Sequence, residues 1–281
     1  MSFSVKFLLF LNRFFKGRPH PFNMRAQQKL AYYDYERESA PLVFKSFEKV
    51  LGEKFWIEKS VMDFGCGAGG KSHWLKLHGA ANVIGLDTSK TLIEQAKERT
   101  KGEQGLEFIE GDITKPSFIE NNSIDIVIAN DVFEHVSNPQ NMLKEAERIL
   151  RPAGLLCINF EPYYHFLGHH MWDAIHIPWA HVFFAETTLI AAYKHLVQDL
   201  PDGQERIDFR ISRNAQGQEY VGYLNHITLT QADKIFKESN FSLEHYVIEK
   251  FEKPILRNLA TMTKLREFLT KKLIVVLRKK A

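Results

Sequence analysis

Cysteine is nearly absent from this sequence. Cys66 and Cys157 are the only two among 281 residues, and each lies within an apolar run. Two buried thiols leave no disulfide framework and no zinc spacing, and they fit a reducing, cytoplasmic setting. An excess of one charge is missing as well. Lys and Arg number 37 against 34 Asp and Glu, a formal net of +3. That is too mild to imply a nucleic-acid partner, and no basic domain with interleaved aromatics stands out. No run is long enough to cross a bilayer. The N-terminal "MSFSVKFLLFLNRFFKGR" is short, is broken by Lys6 and is followed by no small-residue cleavage site, so neither a span nor a signal peptide is expected. Repeats and low-complexity segments are missing too.

What is present at that N-terminus is a mixture of Phe, Leu, Lys and Arg. It suits either a weak membrane-surface contact through residues 1–18 or a helix lying over the protein's own apolar cleft. The chain holds 22 Phe, enough to line an apolar pocket as well as fill a core. Residues about 24 to 51 read as helical, parted at Pro41.

A β/α alternation then begins. "SVMDF", "NVIGLD", "LEFIEGD", "IDIVIAND" and "LLCINF" read as strands, and the fourth has the continuous apolar run of a strand buried on both faces. "GKSHWLKLHG" is a helix closed by Gly79, and "TSKTLIEQAKERT" is a helix with Thr88 or Ser89 as N-cap. "NMLKEAERILRPAG" is a helix ending at Pro152 and Gly154. Such alternation predicts a doubly wound α/β fold with a parallel sheet. The pattern breaks over about 161–227, where aromatics and histidines crowd and a hairpin is expected around Asn214–Gly217. It resumes with the helix "TQADKIFKES" and the strands "FSLEHYVIEKF" and "KLIVVLRK".

The chemistry sits in "VMDFGCGAGGKSHWLKLHGAANVIGLD". Glycines at a strand-to-helix turn let the backbone approach a ligand, and the helix N-terminus that follows favours an anionic group. Asp87, ending the next strand, suits a ribose diol. A nucleoside cofactor follows. The turn reads G-x-G-x-G rather than the dinucleotide G-x-G-x-x-G. Asp63, just before the glycines, would sit badly beside a pyrophosphate and well beside an ammonium. S-adenosylmethionine has an ammonium, a sulfonium and a ribose diol, and no phosphate.

"VMDFGCGAGG", "VIGLDTS", "FIEGDI", "IDIVIANDVFEHV" and "LRPAGLLCINF" together resemble the class I S-adenosylmethionine-dependent methyltransferases, in order and spacing through residues 61–160. "DVFEHV" is similar to the small-molecule branch with quinone and natural-product O-methyltransferases. The resemblance implies a Rossmann-like, mainly parallel sheet of seven strands. It implies a helical lid over residues 1–50 and a methyltransferase domain over 51–281, with 161–227 as a substrate-cap insertion after the fifth strand. It also assigns roles. The turn Gly65, Cys66, Gly67 and Gly69 would form the backbone cradle, and Asp63 would face the ammonium. Asp87 would take the ribose, with Thr88 beside it. Asp112 and Ile113 would take the adenine, and Asn130 would set the fourth-strand carbonyl at the methionine end. Upstream, Tyr32, Tyr33 and Arg37 would help close the site.

Methyl transfer to a hydroxyl also calls for a base. "EPYYHFLGHHMWDAIHIPWAHVFFAE" is the natural source. If "HFLGHHMWDAIHI" is helical, His169 and Asp173 (four apart) and His170 and Asp173 (three apart) share faces. G-x-H-x-x-D followed by P-W is similar to a block in bacterial methyltransferases of this kind, and His170 and Asp173 match it. A carboxylate orienting an imidazole would make a base. Two readings stand beside this one: a divalent metal held by the same residues, which is not expected, and histidines that only tie the segment down. The acceptor expected is a hydroxyl of a small metabolite, a natural product, glycoside or quinone-like molecule, yielding S-adenosylhomocysteine. C- or N-methylation stays open. RNA or protein methylation finds no N-P-P-Y-type tetrad, and a non-catalytic binder need not keep the glycines and Asp87.

Overall fold

The computed structural model describes residues 1–18, 20, 22–23, 31–115, 118–251 and 265–280. The chain gathers into two compact units. One comprises Met1–Gln27, Glu161–Leu229 and Lys250–Lys271, and the other Gln28–Phe160, Thr230–Glu249 and Lys272–Ala281. They are called the helical unit and the sheet unit below. Residues of the expected lid fall in both.

The sheet has seven strands: β1 Ser60–Phe64, β2 Asn82–Asp87, β3 Leu106–Glu110, β4 Ile124–Asn130, β5 Leu150–Phe160, and, after the two short strands described below, β8 Phe241–Lys250 and β9 Thr270–Lys279. Their order is β3-β2-β1-β4-β5-β9-β8. The pairs β1/β2, β1/β4, β2/β3 and β4/β5 are parallel, and β5/β9 is antiparallel. This is the doubly wound, Rossmann-like methyltransferase fold expected from the alternation and the resemblance. Parallel pairing sets the carboxyl ends of β1, β2 and β4 on one edge of the sheet, where ligands of such sheets bind. One residue class decides the layering. Val61, Ile126, Ile128, Cys157, Ile274 and Val276 point to one face and pack with Phe44, Phe47, Trp56 and Leu75.

Phe44 and Phe47 come from one long helix, Tyr32–Leu51, whose buried residues Tyr33, Glu36, Ala40, Phe44 and Phe47 follow a helical stripe. Pro41 was expected to part it and does not. It lies on the exposed side, and the packed stripe holds the helix together despite the hydrogen bond the proline removes. The part of the expected helix from 24 to 30 lies outside the described residues. Helices Gly70–Leu77 and Lys90–Arg99 match their expectations, and Ser89, not Thr88, caps the second by accepting from the Leu92 amide. Pro139–Ile149 ends earlier than expected. β5 already begins at Leu150, because the residue before Pro152 disfavours helix, and the register shifts between Ile124 and Ile126.

In the helical unit, helices Phe3–Asn12, Glu186–Val197 and Gly203–Arg210 surround an apolar core that includes Val5, Leu8, Met171, Ile175, Leu189 and Tyr193. The expected hairpin is β6 Ile211–Arg213 with β7 Glu219–Val221, turning through Gly217 at φ 77°. Residues 165–177 are not helical. They form consecutive tight turns, with bonds Gly168 N–H to His165 O, His170 N–H to Leu167 O and Ala174 N–H to Met171 O. Gly168 permits this: a Cβ there would stand 1.8 Å from the Tyr163 carbonyl oxygen. Among the described residues no helix is long and apolar enough to cross a membrane.

Candidate functional site

β1 delivers Asp63 to the carboxyl end of the sheet with 1% of its surface exposed. Its Oδ2 accepts from Ser72 Oγ at 2.6 Å. Burial pushes the Asp63 carboxyl up, against the pull of Lys71 and Ser72. The chain then turns through Gly65, Cys66 and Gly67 to Gly69, which sits left-handed at φ 83° as the N-cap of Gly70–Leu77. Glycine is demanded at Gly69 twice over. The backbone is one that side chains avoid, and a Cβ would stand 2.5 Å from the Phe108 ring. Cys66 is fully buried, and burial with the carboxylates of Asp63, Asp87 and Glu36 drives its thiol well up, so it lines the turn as a neutral group.

Glu36, which the sequence reading missed, enters this loop from the long helix. Its Oε2 accepts from the Gly70 amide at 3.1 Å, and its Oε1 lies 3.3 Å from Lys71 Nζ. A Cβ on Gly67 would stand 2.2 Å from that same Oε1. Burial opposes a charge on Lys71, but Glu36, Tyr32, Asp63 and Asp131 outweigh it and hold the ammonium protonated. The anion expected at this helix N-terminus is therefore present as a side chain of the protein itself. Tyr33, a closing candidate, bonds through its hydroxyl to His73 Nδ1, and Arg37 lies 5.8 Å from the Tyr33 ring centre. Only "GKS" after the glycines could have pointed to Lys71 and Ser72. Glu36 lies 34 positions before Gly70, with no local pattern to betray the pairing.

β2 brings Asp87 beside the loop. Its Oδ2 accepts from the Gly67 amide at 2.9 Å and its Oδ1 from the Ser89 amide at 2.9 Å, so one carboxylate ties the cradle to the start of the next helix. Thr88, between them, is exposed. Asp112 folds onto its own loop, accepting from the Thr114 amide and hydroxyl and lying 3.2 Å from Lys115. Burial alone would raise its pKa, but these contacts win and hold it below the ordinary carboxylate range. Ile113 beside it is buried. Asn130, at the end of β4, accepts through Oδ1 from Asn159 Nδ2 at 2.7 Å and donates to Asp131. The sheet unit thus gathers Asp63, the glycine turn, Asp87 and Asn130 at the carboxyl ends of its central strands.

The residues proposed from the sequence as a base lie in the helical unit, and their pairing needs correction. The helix that would have put His169, His170 and Asp173 on shared faces is absent. Asp173 is fully buried and engages two guanidinium groups, Arg206 Nη1 at 3.1 Å from Oδ2 and Arg210 Nη2 at 3.1 Å from Oδ1, and Tyr193 donates to Oδ2 at 3.0 Å. His170, left-handed at φ 50°, has its Nδ1 3.1 Å from the Tyr223 hydroxyl. His169 Nδ1 accepts from the Met171 amide, and burial with nearby His181 pushes its imidazole down to about 3. A group so weakly basic is poorly suited to take a proton at neutral pH. Among the described residues no three or more His, Cys, Asp or Glu side chains are grouped to hold a metal ion.

Residues 62–158 match a family model described as a methyltransferase domain. A ubiquinone biosynthesis O-methyltransferase of Coxiella burnetii is 34% identical over 106 residues, 35% of this chain and 42% of that protein. A sterol 24-C-methyltransferase of Pneumocystis carinii is 32% identical over 100 residues, 34% of this chain and 26% of that protein. The crystal structure of a putative S-adenosylmethionine dependent methyltransferase from Listeria monocytogenes superposes with a TM-score of 0.54 at 18% identity, over 86% of this chain and 99% of that one, a likeness of fold. The chain spans less than half the length of the curated relatives it matches.

Proposed function

We propose that this chain, whose residues 62–158 match a methyltransferase-domain family model, is a class I S-adenosylmethionine-dependent methyltransferase that transfers a methyl group from S-adenosylmethionine to a hydroxyl of a small, largely apolar or glycosylated metabolite. One observation carries the cofactor part of this reading. Around the glycine turn stand three carboxylates, Glu36, Asp63 and Asp87, and one ammonium, Lys71. Burial pushes the Glu36 and Asp63 carboxyls up, but a lining of carboxyl oxygens still suits a ligand with ammonium and sulfonium charges better than a pyrophosphate. When bound, the cofactor supplies a methyl group activated on a cationic sulfur. Asp63 would hold its ammonium, Asp87 its ribose hydroxyls, and the Gly65–Gly69 backbone would let it approach. Asp112, Ile113 and Thr88 would flank the adenine and ribose, and Asn130 would fix the β4 end by its bond to Asn159.

Proton removal from the acceptor we assign to His170. Its neighbour Tyr223 would orient the ring, while Asp173 serves the fold through Arg206 and Arg210. The variant to test is His170→Asn, because asparagine tolerates the left-handed backbone at this position. Turnover is expected to fall roughly 10²–10⁴-fold with cofactor affinity unchanged. Turnover within a few-fold of wild type would remove His170 from the chemistry. The reaction itself is tested by labelled methyl transfer to a panel of phenols, quinols and glycosides, with the product's new bond identified by NMR. A label found on carbon would favour the second reading, C-methylation, which the sterol 24-C-methyltransferase relative keeps in view. The buried thiols Cys66 and Cys157 support a reducing, cytoplasmic location.

A further inference from the structure

Helix Phe3–Asn12 is held by one face and bare on the other. On the inner face Val5 and Leu8 are buried in the core of the helical unit. Asn12 locks the register, donating through Nδ2 to the Ala174 carbonyl at 2.8 Å and accepting the His176 amide at 2.6 Å. The outer face carries Phe3, Phe7 and Phe10, and Phe14 continues the same stripe one turn on, with exposures of 82%, 45%, 54% and 70%. The rings pair along the stripe, Phe3 with Phe7 and Phe10 with Phe14. The patch continues onto the segment Ala180–Phe184, where Phe183 is 74% exposed and the Phe184 ring lies 6.3 Å from that of Phe7. Single exposed apolar residues need no explanation, but a fixed stripe of aromatic rings joined to a second element marks a contact surface.

Charge says which contact. Lys6, Arg13, Lys16 and Arg18 are exposed along and just beyond this helix, and no Asp or Glu occurs before Asp34. A groove on a protein would ask for the rings alone, whereas rings flanked by exposed cations match the boundary between acyl chains and anionic headgroups. Ten helical residues reach only about 15 Å, half a bilayer core, so such a helix lies in the surface plane. We propose that this face docks the protein on an anionic lipid surface, with the phenylalanines in the headgroup–acyl boundary and the cations on lipid phosphates. The inference stands independently of the methyl-transfer reading.

The full chain is tested by flotation with vesicles of phosphatidylcholine alone or with a quarter of phosphatidylglycerol. Wild type is expected to float with the anionic vesicles and to be released as salt rises from about 0.1 M to 1 M, since the Debye length shrinks from about 10 Å to 3 Å. Phe3→Ser/Phe7→Ser/Phe10→Ser should lower the partition coefficient at least about tenfold. Lys6→Gln/Arg13→Gln should lower it about fivefold per cation, without touching the apolar face, which keeps the test decisive if the first variant unfolds. Failure of wild type to bind anionic vesicles would overturn the proposal, as would undiminished binding by either variant. A dimer in sedimentation that the serine variant abolishes, with no vesicle binding by wild type, would give the face to a second copy of the chain.

Discussion

Asp173→Ala is expected to destabilise the helical unit by about 3–5 kcal/mol, the cost of removing one partner from a buried ion pair. The carboxylate has no exposed surface and faces Arg206 and Arg210, whose side chains are 2% and 1% exposed. Arg206 keeps Asp202 at 3.0 Å and Asn23, and Arg210 keeps the His170 carbonyl and the Tyr193 hydroxyl. With Asp173 gone, Arg206 keeps the Asp202 carboxylate, whereas the buried Arg210 guanidinium is left to the His170 carbonyl, the Tyr193 hydroxyl and the His20 ring. Asp173→Asn removes only the charge and should cost less than the alanine but still well over 1 kcal/mol. Urea unfolding followed by tryptophan emission, to which Trp172 and Trp179 contribute from this unit and Trp56 and Trp74 from the sheet unit, measures the loss, while S-adenosylhomocysteine binding reports on the sheet unit. Normal stability with lost turnover would return Asp173 to the chemistry and defeat the structural assignment.

Acid should undo the same unit. Burial pushes His169 down to about 3 and His20 and His181 down to about 4, with Arg210 and Arg206 adding to the effect at His20 and Asp173 opposing it. Each group has a folded pKa below its unfolded value of about 6.5. Between those values the unfolded chain binds a proton that the folded chain refuses, so stability is fully present above about pH 6.5 and is lost as pH falls toward 4. The upper bound is about 2 kcal/mol per histidine by pH 5. Urea midpoints at pH 7 and pH 5 measure it, and His169→Gln should flatten the slope. A midpoint that does not move over this range would mean that these rings are solvated in the native protein.

These two expectations rest on features that sequence reading could not reach, and the reason is physical. Hydrophobic periodicity and glycine punctuation are local signals, so the strands, Asp63, the turn and Asp87 could be read directly. That the sheet is doubly wound and mainly parallel followed from the crossover lengths and from the resemblance, while the strand order came only with the structure. Glu36 reaches the Gly70 amide from a separate helix, and Arg206 and Arg210 reach Asp173 from another 33 and 37 positions away. Such ion pairs are set by tertiary packing and leave no spacing rule. The run from His165 to Ile177 misled for the opposite reason. Its residues can be laid on a helical wheel, but the chain turns tightly at Gly168 and His170 and scatters the face. Pro41 was over-read as a break because its place on the exposed side of a packed helix is invisible in sequence.

The claim at the centre is that the glycine turn and Asp87 hold S-adenosylmethionine. Isothermal titration of S-adenosylhomocysteine into wild type and Asp87→Ala tests it most directly, with circular dichroism confirming that the variant is folded. Asp87 would give charge-assisted hydrogen bonds to the ribose, so the variant should bind more weakly by about 1.5–3 kcal/mol, roughly 10- to 150-fold. Part of that loss would come from the Gly67 and Ser89 amides that Asp87 now satisfies. An Asp87→Ala protein that binds S-adenosylhomocysteine as tightly as wild type, or a wild type that binds a dinucleotide in its place, would contradict the account.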